Sequence, residues 1–251
     1  MSDTITAAVL VIGNEILSGR TKDANIAYLG QELNHIGIRL TESRIVADDE
    51  QDIVDALNAL RTRYDYVFTT GGIGPTHDDI TADSVAAAFG VGIDYHPKVY
   101  QVLKEYFENN GLEANEARMR MARVPDGATL IDNDVSLAPG FQLDNVFVLA
   151  GVPRIARNMF ERAKSRLRHG ETMLSRSVRC HVGEGTVAEG LSALQAQYTD
   201  IDIGSYPWSE NGKHGTSLVA RSTDEQRLNQ AADDIYALVE KLGGEPHWEN
   251  D

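Results

Sequence analysis

The chain has 251 residues, and its 23 Lys+Arg against 38 Asp+Glu leave a formal net charge of −15 with His neutral. A hydrophobic content of 42% with 24% charged residues excludes a disordered chain, and no run approaches the roughly 18 apolar residues of a membrane span. The acidic surplus excludes a nucleic-acid polymer as partner, and the single cysteine, Cys180, excludes an internal disulfide and a Cys-rich zinc site.

The N-terminus, Met1-Ser2-Asp3-Thr4, lacks the basic stretch of a signal peptide, so a cytoplasmic protein is expected. The apolar run Ala7 to Ile12, stopped by Gly13, predicts a strand buried on both faces, as in a parallel sheet. A polar loop from Gly13 to Lys22 follows. Ile26, Leu29, Leu33 and Ile36 then repeat at helical spacing, with Gly37 where a helix C-terminus favours glycine. An alternating strand over residues 38–46 leads to a helix carrying Ile53, Ala56, Leu57 and Leu60. Residues 66–70 predict a further buried strand, then a glycine cluster and a helix over residues 81–89. Strand and helix alternating three times is the pattern of right-handed βαβ units in an open sheet.

The middle of the chain is more helical, with Val99, Val102, Leu103, Tyr106 and Phe107 on one face. Residues 128–131 and 146–149 read as later strands, the second leading through Gly151-Val152-Pro153 into a helix reaching about Arg168. Its arginines, Arg154, Arg157, Arg162, Arg166 and Arg168, read as a solvated face. The pattern then resets. A strand over residues 177–182, a helix with Val187, Leu191 and Leu194, strands near residues 201–206 and 217–220, and a closing helix from Leu228 to Leu242 make a βαββα block. The tail from Glu245 is expected to fray, unless Trp248 tacks it down. The expected architecture is therefore α/β. Residues 1–170 form a three-layer, mostly parallel open sheet with helices on both faces, and residues 171–251 a small α+β domain.

The stretch Thr69 to Thr81, Thr-Thr-Gly-Gly-Ile-Gly-Pro-Thr-His-Asp-Asp-Ile-Thr, lies at the carboxyl end of a predicted strand and before a helix, where open α/β sheets bind ligands. Its glycines let backbone N–H groups approach an anion, and the helix N-terminus adds partial positive charge. It is not a Walker A loop, since no lysine occurs between Lys22 and Lys98, and His77 stands where a dinucleotide fingerprint needs its third glycine. Two carboxylates, Asp78 and Asp79, end the loop instead. Beside a phosphate they would repel it unless a hard divalent cation bridges them, and magnesium takes one or two protein carboxylates plus phosphate oxygens. The simpler alternative is that Asp78 or Asp79 caps the following helix.

Thr70 to Thr81 resembles the signature of the molybdopterin-binding domain family, and most closely its competence/damage-inducible protein A branch, which is similar to the N-terminal domain of eukaryotic FAD synthases. Gly13-Asn14-Glu15-Ile16-Leu17-Ser18-Gly19 with Asn25, Val46-Ala47-Asp48, Asn115-Glu116-Ala117-Arg118, Val124-Pro125 and Ala138-Pro139-Gly140-Phe141 resemble further blocks of that branch. Gly183-Glu184-Gly185-Thr186 and Ile203-Gly204-Ser205-Tyr206-Pro207 resemble the small domain that follows. The resemblance spans nearly the whole chain.

It implies Asp79 and Asp48 as catalytic residues and, with Asp78, as metal-handling ones. It also implies a ligand cleft made by Gly13, Glu15, Thr70, Gly71, Gly72, Gly74, Pro75, Thr76, Asp78, Thr81, Pro139, Gly140, Gly151 and Pro153. Glu15 has the alternative of a solvated loop acid, and His77 reads as a loop residue. The implied activity is divalent-metal-dependent hydrolysis (Mg²⁺, Mn²⁺ or Co²⁺) of a nucleotide pyrophosphate such as ADP-ribose or FAD. The alternatives are a binding module that holds molybdopterin or a nucleotide unchanged and, less favoured, adenylyl transfer onto molybdopterin. A homo-oligomer with a small phosphate-containing ligand is expected. The family's last ligand loop commonly reads Pro-Gly-x-Pro-x-Glu-Met, whereas Ala150-Gly151-Val152-Pro153-Arg154-Ile155 lacks the first proline and the glutamate. With the chain ending at Asp251, no nicotinamide mononucleotide deamidase domain is expected.

Overall fold

A computed structural model describes residues 4–249. The chain divides into two compact units, one ending at Gly170 and the other beginning at Glu171. The first contains β1 (Ile5–Ile12), α1 (Asn14–Leu17), α2 (Asn25–His35), β2 (Ile38–Val46), α3 (Glu50–Arg61), β3 (Tyr66–Thr70), α4 (Thr81–Phe89), β4 (Ile93–Tyr95), α5 (Pro97–Asn109), α6 (Glu116–Met119), β5 (Arg123–Pro125), β6 (Thr129–Ile131), β7 (Gly140–Leu143), β8 (Val146–Leu149) and α7 (Pro153–Ala163). Its main sheet has the order β2-β1-β3-β8-β7-β6. The first four strands are parallel, and β7 and β6 add an antiparallel flank.

The continuous apolar run of β1 is explained by the two layers of helix around it. Ala8, Leu10 and Ile12 pack with Ile53, Leu57 and Leu60 of α3 and Val85 of α4. Ala7, Val9 and Val11 pack on the other face with Leu29 and Leu33 of α2 and Phe160 of α7. Alternate side chains thus meet opposite helical layers, so neither face tolerates a polar residue. Local chemistry sets the helix limits. Asp49 accepts from the N–H groups of Gln51 (3.0 Å) and Asp52 (3.1 Å) to start α3, and Gly90, at φ 65°, ends α4.

Three local features differ from the sequence reading. Gly140–Leu143, read there only as part of a motif block, is a strand that pairs antiparallel with β8 through the two-residue turn Asp144-Asn145. Asp144 takes φ 51° in that turn, and Asn145 Nδ2 donates to the carbonyls of Arg61 (2.9 Å) and Tyr64 (3.0 Å). The helix expected to reach Arg168 ends at Ala163 and tightens into a 3₁₀ turn over Lys164–Arg166. Its arginines do more than solvate a face. Arg162 pairs with Asp134, Arg166 donates to the Leu130 carbonyl (2.7 Å), Arg168 reaches Asp65 (2.9 Å), and Arg157 lies 5.0 Å over the Tyr28 ring.

The second unit contains β9 (Leu174–Cys180), α8 (Glu184–Gln197), β10 (Asp202–Glu210), β11 (Lys213–Ser222), α9 (Glu225–Lys241) and β12 (His247–Glu249). Its antiparallel sheet has the order β10-β11-β9-β12 and covers a core that includes Val178, Val187, Leu218 and Ile235. The tail that the sequence leaves frayed forms β12, where Trp248 stacks on Tyr236 with centroids 5.1 Å apart. Cys180 is buried and free. Among the described residues no helix is long and apolar enough to cross a membrane.

Asp65 ties the entry of β3 to that of β1, accepting from the Thr6 N–H (2.9 Å) and hydroxyl (3.0 Å). These bonds, the backbone one first, hold its carboxyl below its ordinary range against the opposing effect of burial. Asp65→Ala is expected to cost about 2 kcal/mol in urea unfolding at neutral pH, because it strands a partly buried donor. The folded pKa is depressed, so this contribution is present above the unfolded value of about 4 and is lost as pH falls through the folded one. The gap between wild type and variant should therefore close on acidification; a gap independent of pH would contradict this role.

Candidate functional site

The four parallel strands β2, β1, β3 and β8 end side by side, and the loops that leave them hold most of the sequence-predicted site residues. Gly13 N–H donates to the Val46 carbonyl (3.2 Å), Asn14 N–H to Asp48 Oδ2 (2.8 Å), and Gly71 N–H to the Leu149 carbonyl (3.3 Å). Hydrogen bonds therefore join the ends of β2 and β1, and those of β3 and β8. The middle is closed by contact. A Cβ on Gly71 would stand 2.1 Å from the Ile12 carbonyl oxygen, and one on Gly151 would stand 3.2 Å from Gly71 Cα.

Gly71 and Gly72 have φ of 104° and 66°, a region that side chains avoid. The chain can thus turn off β3 without rising above the strand ends. Thr81, the first residue of α4, locks the turn: its N–H donates to the Gly72 carbonyl (3.0 Å) and its hydroxyl to the Gly71 carbonyl (2.9 Å). Gly72, Ile73 and Gly74 then border a shallow cleft with Asp79, Asp83, Arg120, Arg123 and Pro139.

The helix-cap alternative for the two acids does not hold. The residue before α4 is Ile80, with no side-chain cap bond. Asp79 instead closes the loop on itself, its Oδ2 accepting from the Thr76 N–H (2.8 Å) and hydroxyl. Its carboxylate lies where a Cβ on Gly74 would be, 2.6 Å away. Asp78 is more exposed and is held below the ordinary carboxylate range by the Thr76 side chain and then by its own backbone amide. Thr76 has one hydroxyl proton, and the distances give it to Asp79, so the two acids compete for this donor. Pro75 and Thr76 sit on the exposed crest of the loop.

The remaining predicted residues divide. Gly13 is buried at the end of β1, and Glu15 folds its carboxylate over it, 2.5 Å from where a Cβ would stand. Asp48 is half-buried and accepts from Asn14. Gly151, on the loop after β8, and Pro153, the first residue of α7, are exposed. Gly140 is accounted for by packing, since a Cβ there would stand 2.3 Å from the Val148 carbonyl oxygen. His77 is an exposed loop residue whose carbonyl accepts from Arg120 (3.4 Å). Among the described residues no group of three or more His, Cys, Asp or Glu side chains gathers as a metal nest. Asp48, Asp78 and Asp79 are not a preassembled trio. The donor set suits a hard cation that takes one or two of these carboxylates and completes its shell with phosphate oxygens.

Sequence reasoning missed three members of this region. Arg120 and Arg123 bring positive charge to the cleft from the segment before β5; Arg123 pairs with Asp83 (2.7 Å) and Arg120 reaches the loop carbonyl. Nothing in the local sequence places them opposite a loop some forty positions earlier. Asn25 stood within a recognised motif, but its tie to Gly151 is a tertiary contact. A wider cleft of about 400 Å³ lies in the second unit, lined by His181, Glu184, Trp208 and His214. It lies on an antiparallel sheet, without the row of parallel strand ends that the first unit has, so the first unit carries the candidate site.

Gly72→Ala is expected to lower unfolding stability by about 1–3 kcal/mol in denaturant titration, through its left-handed backbone and the clash with Thr81. An unchanged midpoint would show that the loop does not depend on this turn.

Residues 8–169 match the family described as probable molybdopterin binding domain, and residues 172–243 match the FAD synthase middle domain. A protein of Archaeoglobus fulgidus is 33% identical over 232 residues, covering 92% of this chain and 96% of its own length. The probable FAD synthase of Caenorhabditis elegans is 28% identical over 263 residues; the match covers 95% of this chain but only 50% of that protein. The crystal structure of the protein CinA, of unknown function, from Thermoplasma acidophilum matches with a TM-score of 0.60 at 29% identity, over 66% of this chain and 99% of that one. The chain belongs to the molybdopterin-binding domain family, and its second unit carries the FAD synthase middle-domain pattern.

Proposed function

We propose that the first unit hydrolyses the pyrophosphate bond of a dinucleotide-like substrate such as ADP-ribose or FAD with the help of a divalent cation. The observation that carries this reading is the glycine turn itself, fixed by Thr81 and faced by both Asp79 and Arg120. Backbone N–H groups of residues 72–74 are suited to bind phosphoryl oxygens and to stabilise the charge that grows on them during attack. Arg120 adds a cation on the same side. Asp79, steadied by Thr76, and Asp48, steadied by Asn14, would hold Mg²⁺, Mn²⁺ or Co²⁺ together with the substrate. The cation, when bound, would polarise the pyrophosphate and acidify a water molecule. The same reading expects a cytoplasmic protein that forms a homo-oligomer, and sedimentation would check the oligomer.

A second reading, a module that holds molybdopterin or a nucleotide without turning it over, is favoured by one observation. Both Asp48 and Asp79 already accept backbone N–H bonds and so have fewer lone pairs free for a metal. Asp79→Asn separates the two readings. It is expected to reduce release of mononucleotide from ADP-ribose or FAD by about a hundredfold or more, with the melting temperature within about 2 °C of wild type, because Asn still accepts from Thr76. Full activity in the variant would sink the catalytic assignment. If wild type releases nothing from ADP-ribose, FAD or NADH with any of the three cations, the binding reading stands instead. Native mass spectrometry of gently purified protein would then be expected to find a retained pterin or nucleotide.

A further inference from the structure

Among the described residues, five buried side-chain polar atoms have no hydrogen-bond partner, and three of them, Asn25 Oδ1, Thr69 Oγ1 and Thr70 Oγ1, lie on the elements that build the site. Such groups are costly when left unsatisfied, so each calls for a partner or a functional role. Two of the three share one face of the sheet. Strand alternation puts Thr69 on the α3/α4 side with Val67, and Thr70 on the α2/α7 side with Phe68. Asn25 opens α2, the helix whose Leu29 and Leu33 pack on that second side.

The orientation of the Asn25 amide is fixed by its contact. Nδ2 donates to the Gly151 carbonyl (2.9 Å), so the other atom of the amide is the oxygen. Asn25 is only 4% exposed, and the Gly151 backbone that it grips packs against Gly71, the residue after Thr70. A buried acceptor and a buried hydroxyl thus lie at the ends of β3 and β8, on the side of the sheet away from α4. The requirement of Asn25 Oδ1 is specific, because an amide oxygen only accepts. A fully ionised phosphate has no proton to offer it.

We infer that Asn25 Oδ1 and Thr70 Oγ1 form a recognition subsite for the organic part of the ligand, accepting an O–H or N–H of a sugar hydroxyl or heterocyclic amine while the phosphate lies on the Gly72–Gly74 turn. The inference rests on the phosphate-binding reading of that turn and adds to it a polarity: phosphate toward α4 and Arg120, the hydrogen-bond-donating moiety toward α2 and Gly151. It also gives the altered loop Ala150–Ile155 a part, since Asn25 holds that loop by its carbonyl and needs no side chain from it.

Calorimetric titration with AMP and with inorganic pyrophosphate, each with Mg²⁺, tests this on wild type, Asn25→Ala and Thr70→Val. AMP has a phosphate and donors, whereas pyrophosphate has the phosphate part alone. Both variants are expected to bind AMP about five- to tenfold more weakly, the size of a lost hydrogen bond, and pyrophosphate within about twofold of wild type. Thr70→Val loses no hydrogen bond that the structure contains, so it is expected to fold as well as wild type, and it decides the matter alone should Asn25→Ala not fold. AMP binding unchanged in the variants, with pyrophosphate still bound, would overturn the subsite and leave the phosphate reading intact. Equal weakening of both probes would also overturn it, assigning the residues to loop support alone. Failure of both probes to bind wild type would overturn the phosphate reading and the subsite with it.

Discussion

The site depends on how closely the backbone passes the ends of β1, β3 and β8 at Gly71. A single Cβ there would lie 2.1 Å from the Ile12 carbonyl oxygen, far inside van der Waals contact, so any other residue would push the turn away from the sheet. Two bonds from Thr81 fix the turn beyond it, and those bonds set where α4 begins. The position of Asp79 follows, because its carboxylate fits over Gly74 and is held by the Thr76 turn. The order of dependence runs from a backbone contact to a loop, then to a helix start, and only then to a charged side chain.

Net charge looks at first like an obstacle to an anionic ligand, and the geometry shows how a local site escapes it. At −15 the chain repels a polyanion, whose affinity needs many cationic contacts spread over a surface. A small phosphate ester needs only a few oriented N–H groups and one or two nearby cations. Arg120 and Arg123 supply those cations beside the glycine turn. Arg123 is bound to Asp83, which leaves Arg120, held by a carbonyl at 3.4 Å, as the more available of the two.

Much of the fold is legible in the sequence because burial on both faces leaves a plain mark. The run Ala7 to Ile12 has no polar member because α2 and α7 cover one side and α3 and α4 the other. Thr69 and Thr70 are the exception in the neighbouring strand, and they are its last two residues, immediately before the glycine turn. Other features left no such mark. Four-residue β7 starts with a glycine whose role is contact with Val148, and its pairing with β8 turns on Asp144-Asn145, a signal too short to separate from a loop. The sequence leaves a helix cap open as the alternative for Asp78 or Asp79, and only the turn geometry shows that Asp79 bonds backward to Thr76. Arg120 and the Asn25–Gly151 bond are long-range facts, fixed by packing between segments whose local patterns do not refer to each other.

The central claim is that the amides of Gly72, Ile73 and Gly74 form the anion-binding floor of the first unit. It is tested most directly by amide chemical shifts in a ¹⁵N-labelled sample titrated with inorganic pyrophosphate and Mg²⁺. The account predicts large, saturable shifts at Gly72, Ile73 and Gly74, smaller ones at Thr81, and none among the glycines of the second unit. Saturable binding that leaves the signals of residues 72–74 in place while others move would contradict it.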